Sequence, residues 1–467
     1  MTDTDERADL AAELDAALTA APVGGVEARH RHITDVAAWI DDQDPPVRAV
    51  LRAMGELLRG AAGEKSETST RFTARCLGVS TFSNLIDEVR PLEPVARITV
   101  ALALGEWMDT YAGRAEIGPG EHASPPQWTQ TRIGDSIYRH PTCLHVYFPA
   151  GTLLPDTGCV IGIESRDTMM RSAEVSAFVR PDQQDRARGV LDRLAERATV
   201  LNPYRGRAVR ASHKQGLHLT VLDLPATATR ANVILPEQVW TEIDIGLTAV
   251  RDRHELLNAH GLGARRGVLL CGPPGTGKSA VSAVVAREVV GDFTVIYVEA
   301  QAGARLLTEV VEEAQRLSGP VLLVLEDVDL WCRDRNTSSS GGLSELLQAM
   351  DIEADARILT LASTNDAATL DKAAIRTGRF DSIVEIRYPD RDAATRILAA
   401  LIGDIPGNVD TAAVAAALPD ATSGSDIREI VRRAVLAGDG SVCTATLLAE
   451  VGSGRYRAEL PSGGAYL

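Results

Sequence analysis

The segment from Gly272 to Ser279, GPPGTGKS, constrains the fold of this chain more than any other feature. Its three glycines let the backbone curl so that successive N–H groups point at one anion. Lys278 would reach the β and γ phosphates of a nucleotide, and the Ser279 hydroxyl would hold Mg²⁺. The apolar run 267–271 predicts a buried strand and 280–290 predicts a helix, so the phosphates would lie at a helix N-terminus. The segment therefore predicts a nucleotide triphosphate site in an α/β domain.

Length and charge limit the classes of protein that the chain can belong to. At 467 residues it is too long for one core and implies about three domains. A net charge of -16 disfavours nucleic acid as the main partner. The N-terminus is acidic, and no apolar run is long enough to span a bilayer, so we expect a cytoplasmic protein without a membrane span. The cysteines form no CxxC pair, which predicts reduced packing residues at Cys76, Cys143, Cys159, Cys271, Cys332 and Cys443.

Changes in residue pattern along the sequence predict separate domains. Residues 1–117 are predicted to form a mostly helical domain, because stretches such as 47–59 and 95–111 have apolar residues at helical spacing. A segment rich in Gly, Pro and Ser at 118–127 predicts a boundary. Residues 128–230 then predict an α+β domain with a helix at 182–198. Its strands are expected at 144–149, 158–164, 174–179, 207–211 and 217–224.

The α+β region carries aromatic and basic residues whose role stays open. They would form either a recognition surface for a partner or the solvated faces of strands. These residues are Tyr138, Arg139, Tyr204, Arg205, Arg207 and Arg210.

The nucleotide domain is expected at 236–388, beginning with a helix at 236–261. A helical lid would follow at 389–454 and a tail at 455–467. No internal repeat is present, so a ring would require several chains.

Polar residues follow two further apolar strands. Strand 321–325 ends in Glu326 and Asp327, one to organise Mg²⁺ and the next to polarise the attacking water. Strand 358–362 is followed by Asn365, whose neutral amide would hold the water or the γ phosphate. Arg376 and Arg379 lie near a predicted turn and suit a group offered to a neighbour's γ phosphate.

These motifs resemble those of the AAA branch of the AAA+ superfamily of ATPases. The similar segments are GPPGTGKS (Walker A), VLLVLEDVD (Walker B), LASTN (sensor 1), AAIRTGRFD (arginine fingers) and TSGSDIREIVRRA (lid). The resemblance covers about 236–454. It implies a P-loop α/β nucleotide domain of three layers with a C-terminal helical lid, the use of ATP and Mg²⁺, and a homo-oligomeric ring, commonly a hexamer.

The resemblance also implies roles for individual residues. Glu326 and Ser279 would serve Mg²⁺, Asp327 would polarise water and Asn365 would act as the sensor. Arg376 and Arg379 would act in trans. The nucleotide would be held by Gly272, Pro273, Pro274, Gly275, Thr276, Gly277, Lys278, Ser279 and Ala280, with Gly424 and Ser425 from the lid.

The chain departs from the family pattern at two places. The usual Walker B ending is Asp then Glu, whereas here Glu326 precedes Asp327. A displacement near 1 Å can cost about a hundredfold in rate, so we expect slow but real hydrolysis. Family members that unfold proteins carry an aromatic pore residue after the next strand, but 299–305, EAQAGAR, has none. Segment 333–342 is either a second pore loop or an ordinary connection.

Three functions are compatible with these residues. The first is an ATPase ring that remodels a protein partner chosen by residues 1–230. The second is an ATP-controlled scaffold or switch that threads no substrate, which the missing pore aromatic favours. The third is a DNA-linked ATPase, which the acidic charge opposes.

Overall fold

The computed structural model describes most of the chain between residues 67 and 457. The described residues are 44–51, 54, 67–165, 172–213, 216–298, 303–317, 319–329, 355–366 and 379–457. The chain divides into two units, Met1–Ser66 and Glu67–Leu467. In the first unit the helix predicted at 47–59 is described at 47–51 and at Met54, and both are helical. Every element below belongs to the second unit.

An antiparallel sheet forms the first half of this unit. Its strands are β1 (Ile86–Pro91), β2 (Glu116–Gly118), β3 (Gln127–Ile133), β4 (Ser136–Phe148), β5 (Cys159–Glu164) and β6 (Glu174–Val179). Their order is β1-β6-β5-β4-β2, and β3 also pairs with β4. All six residues of β5 are buried, because helices cover both faces of the sheet.

Three helices pack on this sheet: α1 (Ser69–Leu77), α2 (Pro94–Thr110) and α3 (Gln184–Val200). On one face, Leu104 of α2 and Leu191 of α3 share a core with Leu144 and Ile161. On the other, residues of α1 pack against Val160 and Phe178. This sheet and its helices include β1, β2 and α2, which all lie at or before residue 118. The structure therefore shows neither a separate helical domain over the described part of 1–117 nor a domain boundary at 118–127.

The second half of the unit is built on a seven-stranded sheet. Its strands are β7 (Ala208–His213), β8 (Leu217–Val221), β9 (Arg266–Cys271), β10 (Thr294–Val298), β11 (Val321–Leu325), β12 (Ile358–Thr364) and β13 (Ser382–Glu385). The order is β13-β9-β12-β11-β10-β7-β8. All pairs are parallel except β7–β8. The α/β fold class is confirmed.

The hairpin β7–β8 belongs to this second sheet, although its sequence texture placed it with the preceding α+β region. Residues 208–211 of β7 pair in parallel with 295–298 of β10. The buried side chains of Val209 and Leu219 share a core with β11 and α7. A division of the chain at residue 230 therefore does not coincide with the division between the sheets.

Helices cover both faces of the second sheet: α4 (Glu237–Arg251), α5 (His254–Ala259), α6 (Lys278–Val289) and α7 (Gly303–Arg316). Helices α4 and α6 pack on one face and α7 on the other. Strands β11 and β12 are wholly buried, as continuous apolar runs in a parallel sheet predict. The single helix predicted at 236–261 is instead two helices, with Asp252 and Arg253 between them.

Four helices form the C-terminal segment: α8 (Arg391–Ile402), α9 (Thr411–Ala417), α10 (Gly424–Ala437) and α11 (Thr444–Ser453). They enclose their own core, which includes Leu398, Val414, Ile430 and Leu447. The helical character expected for the lid is confirmed.

The described cysteines are free, and Cys332 lies outside the described residues. Cys143, Cys159 and Cys271 are buried, as packing residues are, whereas Cys443 is exposed.

Candidate functional site: a phosphate loop and its acids

The predicted phosphate loop joins β9 to α6 and depends on glycine at two close contacts. A Cβ at Gly272 would lie 2.0 Å from the carbonyl oxygen of Ile386. A Cβ at Gly275 would lie 2.0 Å from Oγ of Ser425. Gly275 and Gly277 have φ values of 78° and 106°, which side chains rarely adopt. The loop therefore has its shape because no side chain occupies these positions.

Lys278, the first residue of α6, is held inside the loop. Its Nζ donates to the carbonyl oxygens of Gly272 and Pro273, both at 2.8 Å. The side chain is buried, and this burial lowers the pKa of the ammonium group. The negative charges of Asp327 and Asp329 oppose that shift. Lys278 is thus a buried cation that faces the acidic residues after β11.

The remaining loop residues complete an anion cradle. Oγ1 of Thr276 donates to the carbonyl oxygen of Pro273 at 2.9 Å and braces the turn. Pro274 and Ser279 are exposed, and Ala280 is half-buried in the first turn of α6. Backbone N–H groups at a helix N-terminus together with a lysine suit a phosphate chain.

The two acids after β11 differ in backbone geometry. Glu326 follows the last strand residue directly, whereas Asp327 has a positive φ of 51°. Aspartate tolerates this left-handed conformation better than most residues. The Asp327 N–H donates to Oγ of Ser363 at 3.3 Å, and the Val328 N–H donates to the Ser363 carbonyl oxygen at 2.9 Å. Strand β12 therefore fixes the turn that presents Asp327.

Asn365 contacts the second acid directly. Its Nδ2 donates to Oδ1 of Asp327 at 2.9 Å. Oδ1 of the buried Asp329 accepts from the Asn365 N–H and from Oγ1 of Thr364, both at 3.2 Å. The adjoining ends of β11 and β12 thus bring the predicted water-polarising acid and the predicted sensor into one hydrogen-bonded group.

Asp329 and Ser363 are parts of this site to which the sequence reasoning gave no role. Both are buried, and both hold residues that were predicted to act. The acidic run 326–329 was the available signal for Asp329. Ser363 carried no signal, because its contact with Asp327 depends on the pairing of β11 with β12.

The donor set fits a hard divalent cation. Ser279 offers a hydroxyl in the first turn of α6, and Glu326 offers a carboxylate at the end of β11. Oxygen ligands of this kind, together with nucleotide phosphates, are what Mg²⁺ prefers. Among the residues that the structure describes, no group of three or more His, Cys, Asp or Glu side chains is arranged to hold a metal ion.

The lid touches the phosphate loop through the start of α10. The Ser425 N–H donates to the carbonyl oxygen of Gly275 at 3.1 Å. A Cβ at Gly424 would lie 3.4 Å from the same oxygen. A capping box between Ser423 and Asp426 fixes the N-terminus of α10. The structure thus places the two predicted lid residues against the loop.

Arg379 lies far from this loop in the same chain. Its carbonyl oxygen would lie 1.9 Å from a Cβ at Gly267, near the amino end of β9. The phosphate loop follows Cys271 at the other end of β9, about 13 Å along the strand from Gly267. That length exceeds the reach of one arginine side chain. Arg376 lies outside the described residues.

No helix in the described ranges is both long and apolar enough to cross a membrane.

Comparisons with known proteins agree with this geometry. Residues 268–388 match the family model of the ATPase family associated with various cellular activities (AAA). The chain is 34% identical over 195 residues to the ATP-dependent zinc metalloprotease FtsH of Cupriavidus metallidurans, covering 38% of this chain and 29% of that protein. It is 32% identical over 236 residues to FtsH 1 of Conexibacter woesei, covering 45% and 36%. The chain thus spans roughly a third of the length of these relatives. Residues 268–388 of the chain are thus similar to the AAA family of ATPases.

Proposed function

We propose that the chain binds ATP with Mg²⁺, hydrolyses it, and couples turnover in a homo-oligomeric ring to the remodelling of a protein partner. The observation that carries the proposal is the hydrogen bond between Asn365 and Asp327. It joins the predicted sensor to the predicted water-polarising acid at the sheet edge that also presents Lys278. A cytoplasmic location and a hexameric ring stay predictions.

Each residue of the site has a distinct task in hydrolysis. Backbone N–H groups of the loop and Lys278 would bind the phosphates. Ser279 and Glu326 would hold Mg²⁺, which neutralises charge on the phosphate oxygens. Asp327 would orient and polarise the attacking water, while the Asn365 amide holds the carboxylate in position. Because Asp is one methylene shorter than the usual Glu, slow turnover is expected.

The position of Arg379 favours action on a neighbouring subunit. It lies near the opposite end of β9 from its own phosphate loop, which supports contact with another chain's nucleotide. An arginine supplied to the γ phosphate of a neighbour stabilises transition-state charge. The ring proposal therefore predicts composite sites.

Mixing two inactive variants tests the composite site. Lys278→Ala removes the phosphate contact, and Arg379→Ala removes the trans-acting arginine. In a mixed ring, some sites combine an intact Lys278 with an intact Arg379 from the neighbour. Phosphate release should therefore reappear on mixing, although each variant alone is inactive. Continued inactivity of rings shown by native mass spectrometry to contain both variants would refute the trans arrangement.

An ATP-controlled scaffold is the second candidate, favoured by the absence of an aromatic residue from 299–305. It predicts that partner binding depends on nucleotide state without threading. Asp327→Asn, which should hold ATP, and Lys278→Ala, which should not, would then bind a partner unequally. Equal binding by both variants would exclude a nucleotide switch.

A further inference from the structure

A cleft of about 800 Å³ lies between the tip of the β3–β4 hairpin and the open end of the β7–β8 hairpin in the second unit. One wall is the end of β3 with the turn Gly134–Asp135, and the other is β8 with the residues that follow it. Arg207 closes one end, because its guanidinium donates to the Ile133 carbonyl oxygen at 3.1 Å. The cleft lies outside the nucleotide site, and no step of the proposed hydrolysis uses it.

Both walls present strand edges to the cleft. Residues 131–133 of β3 and 218–221 of β8 all line it, with no residue skipped. Because successive side chains of a strand point to opposite faces, an unbroken run lines a cleft only where the strand's edge faces it. Within the described residues, β3 pairs with β4 alone and β8 pairs with β7 alone.

The hydrogen-bond register shows which backbone groups of β8 face outward. The Leu222 N–H donates to the Ala208 carbonyl oxygen at 2.8 Å, so 208/222, 210/220 and 212/218 are the hydrogen-bonded pairs. Leu219 and Val221, which alternate with them, direct their N–H and C=O groups away from β7. On the far side of β7, Arg207 accepts from the Val295 N–H at 2.9 Å, which agrees with this alternation.

Strand β8 lacks the charges and prolines that protect other sheet edges, although α2 packs against its first residues, where Val95 shares a core with Leu217 and Leu219. Natural edge strands are kept from pairing by short length, charges or proline. At the opposite edge of its sheet, β13 has four residues and ends in Glu385. In the first sheet, β1 carries four charged residues or prolines at Asp87, Glu88, Arg90 and Pro91, and β2 has only three residues. By contrast β8, Leu-His-Leu-Thr-Val, contains no lysine, arginine, acid or proline.

We propose that this cleft binds an extended segment of the protein partner as an added strand on β8, with β3 as the opposite wall. Residues 218–221 of β8, in which Leu219 and Val221 direct their main-chain groups outward, offer a ladder for about four residues of peptide. Recognition rests on main-chain hydrogen bonds, so the site tolerates varied peptide sequences but requires an extended backbone. The inference rests on the proposed function only in assigning the peptide to its protein partner.

The site is placed to communicate with the nucleotide domain. Strand β7 lies between β8 and β10, and β10 pairs with β11, which ends at the acids Glu326 and Asp327. A peptide on β8 would therefore extend the same sheet that holds the nucleotide. The bound peptide would also contact the antiparallel sheet through β3.

The test selects peptides from a random twelve-residue phage library panned on the full chain. Selected peptides are synthesised with fluorescein, and their Kd is measured by fluorescence anisotropy. Val221→Pro removes an outward N–H but no bond to β7, and Val221→Thr is the matched control that retains this N–H. Val221→Pro should weaken binding about tenfold or more, whereas Val221→Thr should change it less than threefold.

An N-methyl scan of the peptide gives a second measurement that needs no protein variant. Methylation of alternate peptide residues should weaken binding about tenfold, in a period of two. Failure to select any peptide, equal binding by Val221→Pro and Val221→Thr, or tolerance of methylation at every position would overturn the proposal. Measuring the same peptides with Lys278→Ala separates the two proposals, because this site should bind them even in a chain that does not hydrolyse ATP.

Discussion

Glu313 is a buried carboxyl group that should make the stability of the chain depend on pH. It lies on α7, is 4% exposed and lines a cavity of about 610 Å³. Asn202 donates from Nδ2 to its Oε1 at 3.4 Å, and Nη1 of Arg316 lies 3.6 Å from Oε2. Burial raises the pKa of Glu313 to about 7, although Arg316 and Asn202 oppose the shift. Burial, followed by the negative charge of Glu313, raises the pKa of the half-buried Tyr204.

The sign of the effect follows from proton binding. Between pH 4.5 and about 7 the folded chain keeps a proton on Glu313 that the unfolded chain releases. The free energy of unfolding therefore falls as the pH rises through this window and is lowest, for this group, above it. The difference between the two pKa values corresponds to about 3 kcal/mol.

Glu313→Gln removes the titration and keeps an oxygen to accept from Asn202. We expect this variant to be more stable than wild type by about 3 kcal/mol at pH 8 and nearly equal to it near pH 4.5. Urea unfolding between pH 4.5 and 8 measures the difference, with hydrogen exchange of the α7 amides to identify the transition that contains the helix. Glu312→Gln, on the exposed side of the same helix, is the matched control and should follow wild type.

Equal pH slopes for wild type and Glu313→Gln would refute the reasoning. So would a variant that is less stable than wild type at pH 8. Either result would mean that the ionised carboxylate is well accommodated between Asn202 and Arg316.

Three further predictions concern the nucleotide site. Asp327→Asn should lower ATP hydrolysis about a hundredfold or more while ATP affinity changes less than threefold, as measured by phosphate release and equilibrium binding; retained turnover would remove Asp327 from its proposed role. Gly275→Ala should weaken ATP binding about tenfold, because its Cβ would meet Ser425 at 2.0 Å, whereas Gly291→Ala, with a φ of 103° but open space, should leave affinity unchanged. Asp329→Ala should lower the free energy of unfolding by about 3 kcal/mol by leaving the Thr364 hydroxyl and the Asn365 N–H without their acceptor, whereas Asp329→Asn, which keeps an oxygen, should cost less in the same urea titration.

Local sequence patterns predicted the central elements of the nucleotide domain closely. Strand β11 matches the predicted 321–325, and β9 and β12 differ from prediction by one or two residues at their ends. Each is a continuous apolar run followed by polar residues, a pattern with little ambiguity in a parallel sheet. The contact of Asn365 with Asp327 follows from the same rule, since both residues lie just beyond the carboxyl ends of neighbouring strands.

Local sequence patterns did not predict which distant strands pair with each other. Strand β1 alternates half-buried and exposed residues, and its partner β6 lies almost 90 residues further along the chain. The β7–β8 hairpin has the same β-like texture as the strands before it, and only its pairing with β10 assigns it to the second sheet. Such pairings depend on tertiary packing, which a period of two along one strand does not encode.

The two ends of β9 support the proposal that several chains assemble. At its carboxyl end the chain turns into the phosphate loop, and at its amino end Gly267 admits the backbone of Arg379 so closely that a Cβ there would lie 1.9 Å from the carbonyl oxygen. Because the two ends of a strand lie apart, we propose that the phosphate-binding residues and this arginine act on one nucleotide when two chains meet. The cleft beside β8 lies at the other side of the same sheet, beyond β10. A change at the nucleotide could therefore reach a bound peptide through the strands themselves, with β11, β10 and β7 as the connecting elements.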